Sequence, residues 1–241
     1  MKNTLFLLVF FVSLAVNSQN YEVTYNMKQV AKNIDLTTNI KTYLSGNGEK
    51  SIYVEDFRNS YQENNSSTDI INLPTENNPT YFKDLKNKVI TYNDHIRFNF
   101  FNINDSIGNL DWKIEASTKE ILGYSCQKAT LSFRGRNFIV YFSQSISTSD
   151  GPLKFSGLPG LILEVISDDS VASFHYLAES IKFPKDKIEV KNVYEDKKTI
   201  TYSEYLQKYE EKYRESLTRI INEQGETRPM SRGFMEVLIN N

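Results

Sequence analysis

Apolar and polar residues alternate with a period of two along most of the chain from position 21 onward. The first alternating segment places polar residues on one side and large apolar residues on the other, namely Tyr21, Val23, Tyr25 and Met27. Such alternation is typical of a β-strand with one buried face. We therefore expect the first strand to begin near Tyr21.

The same pattern predicts strands further along the chain. Ile52 and Val54 mark a second strand, whereas residues 59–79 are rich in Asn, Ser, Thr and Glu and are predicted to form a long surface loop. Residues 89–101 alternate again. This segment fits either one long strand or a hairpin that turns at Asn93-Asp94.

The strongest strand pattern covers residues 121–146, where Gly123 and Gly135 separate segments that resemble paired strands. An apolar run at residues 161–166 predicts a buried strand. Shorter segments that also fit strands begin at Trp112 and lie at residues 172–176, 181–183 and 188–193.

A tight turn is expected at Leu158-Pro159-Gly160, just before the buried strand. Proline suits the second position of a type II turn, and glycine accepts the positive φ of the third position. Gly160 is therefore predicted to have a positive φ, with Leu153 on the polar side of the same loop.

One helix is predicted near the end of the chain, at residues 202–223. Thr201 and Glu204 fit a capping box, while Gly225 and Pro229 fit a helix end. Apolar residues recur at helical spacing on the face expected to pack on the sheet, namely Leu206, Tyr209, Tyr213, Leu217 and Ile220. The alternative use of this face is to bind a partner.

Together these elements predict a mainly β fold, in which an antiparallel meander of roughly 8 to 11 strands is strongly curved or forms an open barrel. The C-terminal helix is expected to cover one opening or face. Residues 19–241 are interpreted as a single domain.

The first residues carry a different pattern. Lys2 precedes a nearly continuous apolar run at residues 5–16, which is too short to span a bilayer and fits a secretory signal peptide. Residues 1–18 are predicted to be removed before Gln19, although a buried N-terminal helix or strand is the alternative. We therefore expect an exported protein in the periplasm, associated with the outer membrane or outside the cell, with no transmembrane segment after cleavage.

Composition narrows the classes of function. Lys and Arg total 28 against 30 Asp and Glu, and no tract is rich in Lys or Arg, which argues against nucleic acid as a partner. Cys126 is the single cysteine, so an intramolecular disulfide is excluded. Stability must come from packing, to which 15 Tyr and 15 Phe can contribute large buried areas.

Two motifs, GYSCQKA and GLPGLIL, occur in order with a Gly-Arg pair and a Gly-Pro turn between them. In this arrangement the chain resembles the GLPGLI family of secreted proteins, known mainly from the Bacteroidota. The residues that carry the resemblance are Gly123, Tyr124, Cys126, Gly135, Arg136, Gly151, Pro152, Gly157, Leu158, Pro159, Gly160 and Leu161. The resemblance implies a fold and a compartment. Because the family has no established activity, it implies no catalytic residues.

The residues capable of chemistry form no complete catalytic or metal-binding pattern. Cys126 is expected to be a buried structural residue, and Lys128 is the cation expected nearest to it. His95 and His175 are the only histidines and lie outside metal-binding spacings. No cofactor or metal is predicted, and the Asp168-Asp169 pair is interpreted as part of a hairpin turn.

Arg134 and Arg136 are the candidate ligand-binding residues, because two arginines on one face of a strand could bind an anion. The alternative is that each arginine pairs with carboxylates of the chain.

Three functions remain open: a non-enzymatic binding module for an apolar ligand or peptide, an accessory partner of an outer-membrane transport complex, and an enzyme with an unfamiliar site. A large apolar cavity would favour the first function, and an exposed apolar patch would favour the second. Several converging ionisable groups would favour the third.

Overall fold

The computed structural model of the protein describes residues 19–32, 36–64, 78–218, 230–233 and 236–238, with residues 59–64 and 218 described by backbone only. The predicted signal peptide at residues 1–18 lies outside the described residues, as do the predicted helix-ending residues Gly225 and Pro229.

The described residues form one sheet of twelve strands and one helix. The elements are β1 (Tyr21–Ala31), β2 (Leu36–Gly46), β3 (Lys50–Asn64), β4 (Thr80–Asp84), β5 (Val89–Ile96), β6 (Asn99–Ser106), β7 (Lys113–Ile121), β8 (Tyr124–Phe133), β9 (Arg136–Ser143), β10 (Leu161–Asp168), β11 (Ala172–Lys182), β12 (Ile200–Thr201) and α1 (Tyr202–Thr218).

The order of the strands across the sheet is β12-β6-β5-β4-β3-β2-β1-β11-β10-β9-β8-β7. Neighbouring strands are antiparallel except for β12, which pairs in parallel with β6. The two outermost strands, β7 and β12, do not pair with each other, so the sheet stays open. The prediction of a mainly β, open antiparallel fold with a C-terminal helix is confirmed.

The core lies on one side of the sheet, called here the inner face. Tyr21, Tyr25, Tyr53 and Tyr176 on this face are at most 1% exposed. The side chains between them along each strand are more exposed, as the alternation predicted.

The loop at residues 144–160 folds into the inner face and fills it. Phe155 packs edge-on against Phe138 with 4.8 Å between ring centroids. Leu153, predicted on the polar side of this loop, is instead only 3% exposed. That prediction is wrong because the loop crosses the core, where an apolar side chain is removed from water.

Polar groups of this buried loop find partners on the sheet. Tyr21 donates a hydrogen bond of 2.6 Å from its hydroxyl to Asp150 Oδ2, and the buried Lys83 forms an ion pair with the same carboxylate. Tyr25 donates to the carbonyl of Ile162 at 2.8 Å, where the loop enters β10. These contacts satisfy groups that would otherwise be costly to bury.

The positive φ expected at Gly160 is absent. In this loop the glycine with a positive φ is Gly157, at 90°, and Leu153 also has a positive φ, at 55°. Gly160 is required for a different reason: a Cβ there would lie 2.2 Å from the carbonyl oxygen of Ser143. Close backbone approach, rather than left-handed conformation, explains this glycine.

Two hairpin turns follow the predicted pattern. Gly123 connects β7 to β8 and Gly135 connects β8 to β9, with φ values of 80° and 78°. Left-handed backbone of this kind favours glycine because it has no Cβ.

Asp169 forms the turn between β10 and β11, where its Oδ1 accepts hydrogen bonds from the backbone N–H groups of Val171 and Ala172.

Residues 89–101 form a hairpin, one of the two predicted alternatives, and not one long strand, but the turn is not at Asn93-Asp94. The chain reverses at Arg97 and Phe98, between β5 and β6, and Phe98 is 94% exposed at the tip. Asn93 remains within β5, where its Oδ1 accepts hydrogen bonds of 2.8 Å from both the Thr80 N–H and the Tyr194 hydroxyl. These contacts hold Asn93 in the strand.

Two other predicted segments differ from the structure. β3 continues through residues 59–64, which were predicted as loop, because they pair with β2 as far as Asn64 opposite Leu36. Residues 65–77 of that predicted loop lie outside the described residues. Residues 188–193 form no strand: the backbone of Ile188 bonds instead to the side chains of Asn20 and Asn47.

Helix α1 begins at the predicted capping box. Glu204 accepts a hydrogen bond of 2.7 Å from the Thr201 N–H, and Thr201 Oγ1 accepts one of 3.2 Å from the Glu204 N–H. The predicted packing face is wrong at Leu217, which is 55% exposed. Tyr209 packs on β5 and β6 as predicted, and Tyr205, which is not part of the predicted face, packs there beside it.

Candidate functional site

A cavity of about 320 Å³ lies between the inner face, helix α1 and the C-terminal residues. Tyrosine rings and carboxyl groups line much of it, and the name tyrosine pocket is used here for the cavity formed by Glu55, Tyr81, Tyr92, Asp94, Tyr176 and Tyr205 together with Lys154 and Glu236. Strands β3, β4, β5 and β11 form its floor, and Tyr205 contributes from the helix.

One end of the tyrosine pocket has its charges paired. Lys154 Nζ lies 2.6 Å from Glu236 Oε1 and 3.9 Å from the centroid of the Tyr92 ring. Arg134 also contacts Glu236, at 3.0 Å. Burial acts to raise the pKa of Glu236, but Lys154 and Arg134 outweigh it and hold that pKa below its ordinary value.

Two further carboxyl groups line the tyrosine pocket. Glu55 on β3 is 7% exposed. Within the described residues, its Oε1 accepts a long hydrogen bond of 3.4 Å from the Tyr176 hydroxyl. Asp94 on β5 accepts the His95 N–H at 2.7 Å, and its side chain is 43% exposed, which places it at the mouth.

Burial raises the pKa of Glu55 to about 7, and the negative charge of Asp94 adds to this increase. The Tyr176 hydrogen bond opposes it. A carboxyl group with such a pKa gains or loses its proton near neutral pH. It can therefore serve as a proton donor, as a proton acceptor or as the counter-ion of a bound cation.

We expect Glu55 to make the stability of the protein depend on pH. Because its folded-state pKa of about 7 lies above its ordinary value of 4.5, the folded protein binds the proton more tightly than the unfolded chain. Stability should then decrease as the pH rises from 5 to 8, by about 3 kcal/mol at most.

The measurement is urea unfolding across this pH range for the wild type and Glu55→Gln. The variant should lose the decrease, since its amide does not titrate. Glu179→Gln, which changes an exposed carboxylate on β11, serves as the control and should keep the wild-type profile. An unchanged pH profile in Glu55→Gln would show that Glu55 does not titrate in this range.

Glu55 and Asp94 are not among the site residues predicted from the sequence, although one feature of the sequence points to Asp94. Asp94 occupies the same parity as Ile90, Tyr92 and Ile96, which are buried on β5. An acidic residue at a core-facing position of a strand indicates either a buried ion pair or a pocket. Glu55 has no comparable signal, because Ile52 and Val54 indicate a strand without showing which of its faces is buried; in the structure Tyr53 is buried.

Cys126 lies outside the tyrosine pocket and is fully buried, which confirms the expected burial. Its Sγ is 3.4 Å from the carbonyl oxygen of Tyr124, and burial raises the pKa of the thiol to about 11. The cation that acts on it is Lys119, not Lys128 as predicted, because Lys119 lies directly opposite Cys126 in the pairing of β7 with β8. Lys128 forms an ion pair with Glu115 at 2.9 Å.

The two histidines lie at different sites. His95 lines the tyrosine pocket at its mouth, beside Asp94. His175 points to the opposite face of the sheet, where its Nε2 is 2.8 Å from Glu164 Oε1. Within the described residues, no group of three or more His, Cys, Asp and Glu side chains is arranged to hold a metal ion.

The two candidate arginines do not share a strand face. Arg134 is in the turn between β8 and β9, with a φ of 46°, and binds Asp105 through two hydrogen bonds of 2.8 and 2.9 Å. Arg136 is buried at the start of β9 and forms an ion pair with Asp169. Each guanidinium is thus engaged with carboxylates of the chain, which argues against a shared site for an anion.

No helix in the described part of the chain is long and apolar enough to cross a membrane.

Comparison with solved structures shows the fold of this sheet in a longer protein. A structure of PNGF-II in the P21 space group matches with a TM-score of 0.53 and 17% identity, over 78% of this chain and 32% of that chain. PNGF-II in the C2 space group gives a TM-score of 0.49 and 18% identity, over 80% and 32%. This chain therefore spans about a third of the length of PNGF-II.

An uncharacterised conserved protein from Thermus thermophilus gives a TM-score of 0.38 at 8% identity, over 76% of this chain and 91% of that chain. No curated protein matches the sequence.

The family model named PNGase_F-II_N and described as "N-glycanase peptide, N-terminal domain" matches residues 23–207, from the first strand into helix α1. The match covers well over half of the chain, and the fold agrees with that of the PNGF-II structure. The chain accordingly belongs to the PNGase F-II N-terminal domain family.

Proposed function

We propose that this chain is an exported binding module that holds a peptide in the tyrosine pocket. The observation that carries the proposal is a cavity of about 320 Å³ bounded by aromatic rings and two carboxyl groups that are not held by lysine or arginine in the described structure. A concave site that combines aromatic rings with converging polar groups is typical of ligand binding.

The lining favours a peptide over a wholly apolar ligand. Glu55, Asp94 and Lys154 all reach the cavity, and an apolar ligand would remove water from them without replacing its hydrogen bonds. A peptide supplies backbone N–H and C=O groups for these side chains, and its apolar side chains can contact the tyrosine rings. Both kinds of contact fit the same cavity.

The converging ionisable groups also favour a catalytic role, the third function considered from the sequence. Glu55 provides a proton near neutral pH, and Asp94 provides a second carboxyl group in the same cavity. Binding is the better-supported function because the remaining charged groups, Lys154 and Glu236, are already paired with each other. We propose no N-glycanase activity for this chain, which spans about a third of PNGF-II.

Export is part of the proposal and rests on the apolar run at residues 5–16 and on the GLPGLI motifs. Partnership with an outer-membrane protein is a second candidate. It is favoured by Phe98 and Phe100, which are 94% and 54% exposed at the hairpin beside the pocket mouth. Adjacent exposed aromatic residues are typical of contact surfaces.

Native mass spectrometry of the protein purified from the cell envelope tests the binding function. Gln29 lines the pocket on β1, whereas the preceding residue, Lys28, is exposed on the other face. Gln29→Trp should fill the cavity and remove a copurified ligand. Lys28→Trp adds the same ring outside the pocket and should leave the ligand bound.

Melting temperatures of the two variants show whether both are folded. Retention of the same ligand by folded Gln29→Trp, or its loss from both folded variants, would contradict the proposed site. A macromolecular partner that is lost in Phe98→Ser but kept in Gln29→Trp would support the second candidate instead.

A further inference from the structure

The tyrosine pocket already contains one ammonium group, which belongs to the chain itself. Lys154 Nζ lies 3.9 Å from the Tyr92 ring centroid, 5.3 Å from the Tyr202 ring centroid and 2.6 Å from Glu236 Oε1. A ring face together with a carboxylate is a favourable environment for a cation. This end of the pocket shows how the fold binds an amine.

The same cavity contains these two kinds of group a second time, without a lysine in ion-pair contact. Tyr81 stacks on Tyr92 with ring centroids 5.4 Å apart, and the carboxyl groups of Glu55 and Asp94 lie in the same cavity. Within the described residues, neither carboxylate forms an ion pair with Lys or Arg. Asp94 Oδ1 lies 3.6 Å from His95 Nδ1.

Glu55 is the more informative of the two carboxyl groups. It is 7% exposed, yet no basic side chain in the described structure faces it closely enough to form an ion pair. A buried carboxylate without a counter-ion is costly, and a ligand cation would remove that cost. The arrangement therefore suits a cationic group from outside the chain.

Resting on the proposed binding function, we infer that the tyrosine pocket recognises an ammonium group of its peptide ligand through Glu55 and Asp94. The group is either the side chain of a lysine or the α-amine of the peptide, which share the same chemistry. Lys154 at the paired end provides the internal precedent, and the tyrosine rings surround the methylene groups of the ligand.

Binding should strengthen with pH in the neutral range. The groups that face Glu55 from the surrounding elements are Asp94 and His95 on β5, the neutral phenols of Tyr81, Tyr176 and Tyr205, and the paired Lys154 and Glu236. Glu55 attracts an ammonium group only when its own carboxyl group is ionised, and burial raises the pKa of Glu55 to about 7. For a lysine side chain, which stays charged across this range, the apparent affinity is therefore expected to increase about tenfold between pH 6 and pH 8. An α-amine, with an ordinary pKa of about 8, should gain less because it loses its own charge.

The test is an NMR titration of the protein with three blocked probes. Acetyl-Gly-Lys-Gly-amide carries only a side-chain ammonium group, Gly-Gly-Gly-amide carries only an α-amine, and acetyl-Gly-norleucine-Gly-amide carries neither. At pH 7, where both amines are mostly charged, at least one amine probe should bind about tenfold more tightly than the norleucine probe, and the tighter amine identifies the source of the group.

Glu55→Gln should abolish that preference, so that the amine probe and the norleucine probe bind with equal affinity. Glu179→Gln, an exposed carboxylate that pairs with Lys41, should behave as the wild type. Equal binding of amine and norleucine probes, or an amine preference that survives Glu55→Gln, would overturn the ammonium inference. Failure of every probe to bind would overturn it too. The cavity-filling experiment with Gln29→Trp decides the proposed function independently.

Discussion

Lys83→Met is expected to lower the free energy of unfolding by about 3–5 kcal/mol, because it leaves the Asp150 carboxylate buried without its cation. Both side chains are 0% exposed, and Lys83 links β4 to the loop that fills the inner face. The hydrogen bond that remains, from the Tyr21 hydroxyl at 2.6 Å, carries no charge to replace the lost one.

Urea unfolding measures this effect, and Trp112, the only tryptophan of the chain, is a suitable fluorescent probe. Its Nε1 donates to the carbonyl of Ser156 at 2.8 Å, so its emission reports on the same loop. Lys32→Met is the control. It breaks an ion pair with Asp168 whose side chains are 39% and 64% exposed, and it should cost less than about 1 kcal/mol.

The double variant Lys83→Met with Asp150→Asn should be more stable than Lys83→Met alone, because the buried negative charge is removed. A Lys83→Met protein within about 1 kcal/mol of the wild type would show that the buried pair contributes no more than a surface pair.

Gly160→Ala should destabilise the fold by about 3 kcal/mol, at the upper end of the range for overpacking. The new Cβ would lie 2.2 Å from the carbonyl oxygen of Ser143 and 2.5 Å from its carbon. These are backbone atoms at the end of β9, so a side-chain rotation cannot relieve the contact. The strand pairing itself must shift.

Gly123→Ala separates this steric effect from backbone strain. Gly123 has a φ of 80° but nothing lies within 4 Å of a Cβ built there, so only conformational strain of about 1–2 kcal/mol is expected. Chemical unfolding of both variants should rank Gly160→Ala as the less stable. The reverse order would mean that the loop can move away from β9.

Alternation along the strands was sufficient to predict the sheet, because each strand has one face buried and one face toward water. The inward residues of β1 were assigned correctly from the sequence, as were the glycine turns at Gly123 and Gly135. The capping box of α1 was equally local, since Thr201 and Glu204 are three positions apart. Such features depend on neighbours within one strand, turn or helix end.

The errors arose where a distant contact determined the local structure. Asn93 stays in a strand because Tyr194 binds its side chain, and Leu153 is buried because the sheet surrounds its loop. Neither contact partner is near in the sequence. A polar residue or a loop can therefore lie in the core although its own segment predicts a surface position.

The candidate site is the clearest case of this limit. Glu55 lies on β3, Asp94 on β5 and Tyr176 on β11, and each belongs to a segment that predicts only a strand. The sequence therefore specified the strands, their turns and the class of fold through local alternation and capping. The pocket and the raised pKa of Glu55 arise only in the tertiary structure, because burial and charge around a carboxyl group depend on residues that folding brings together.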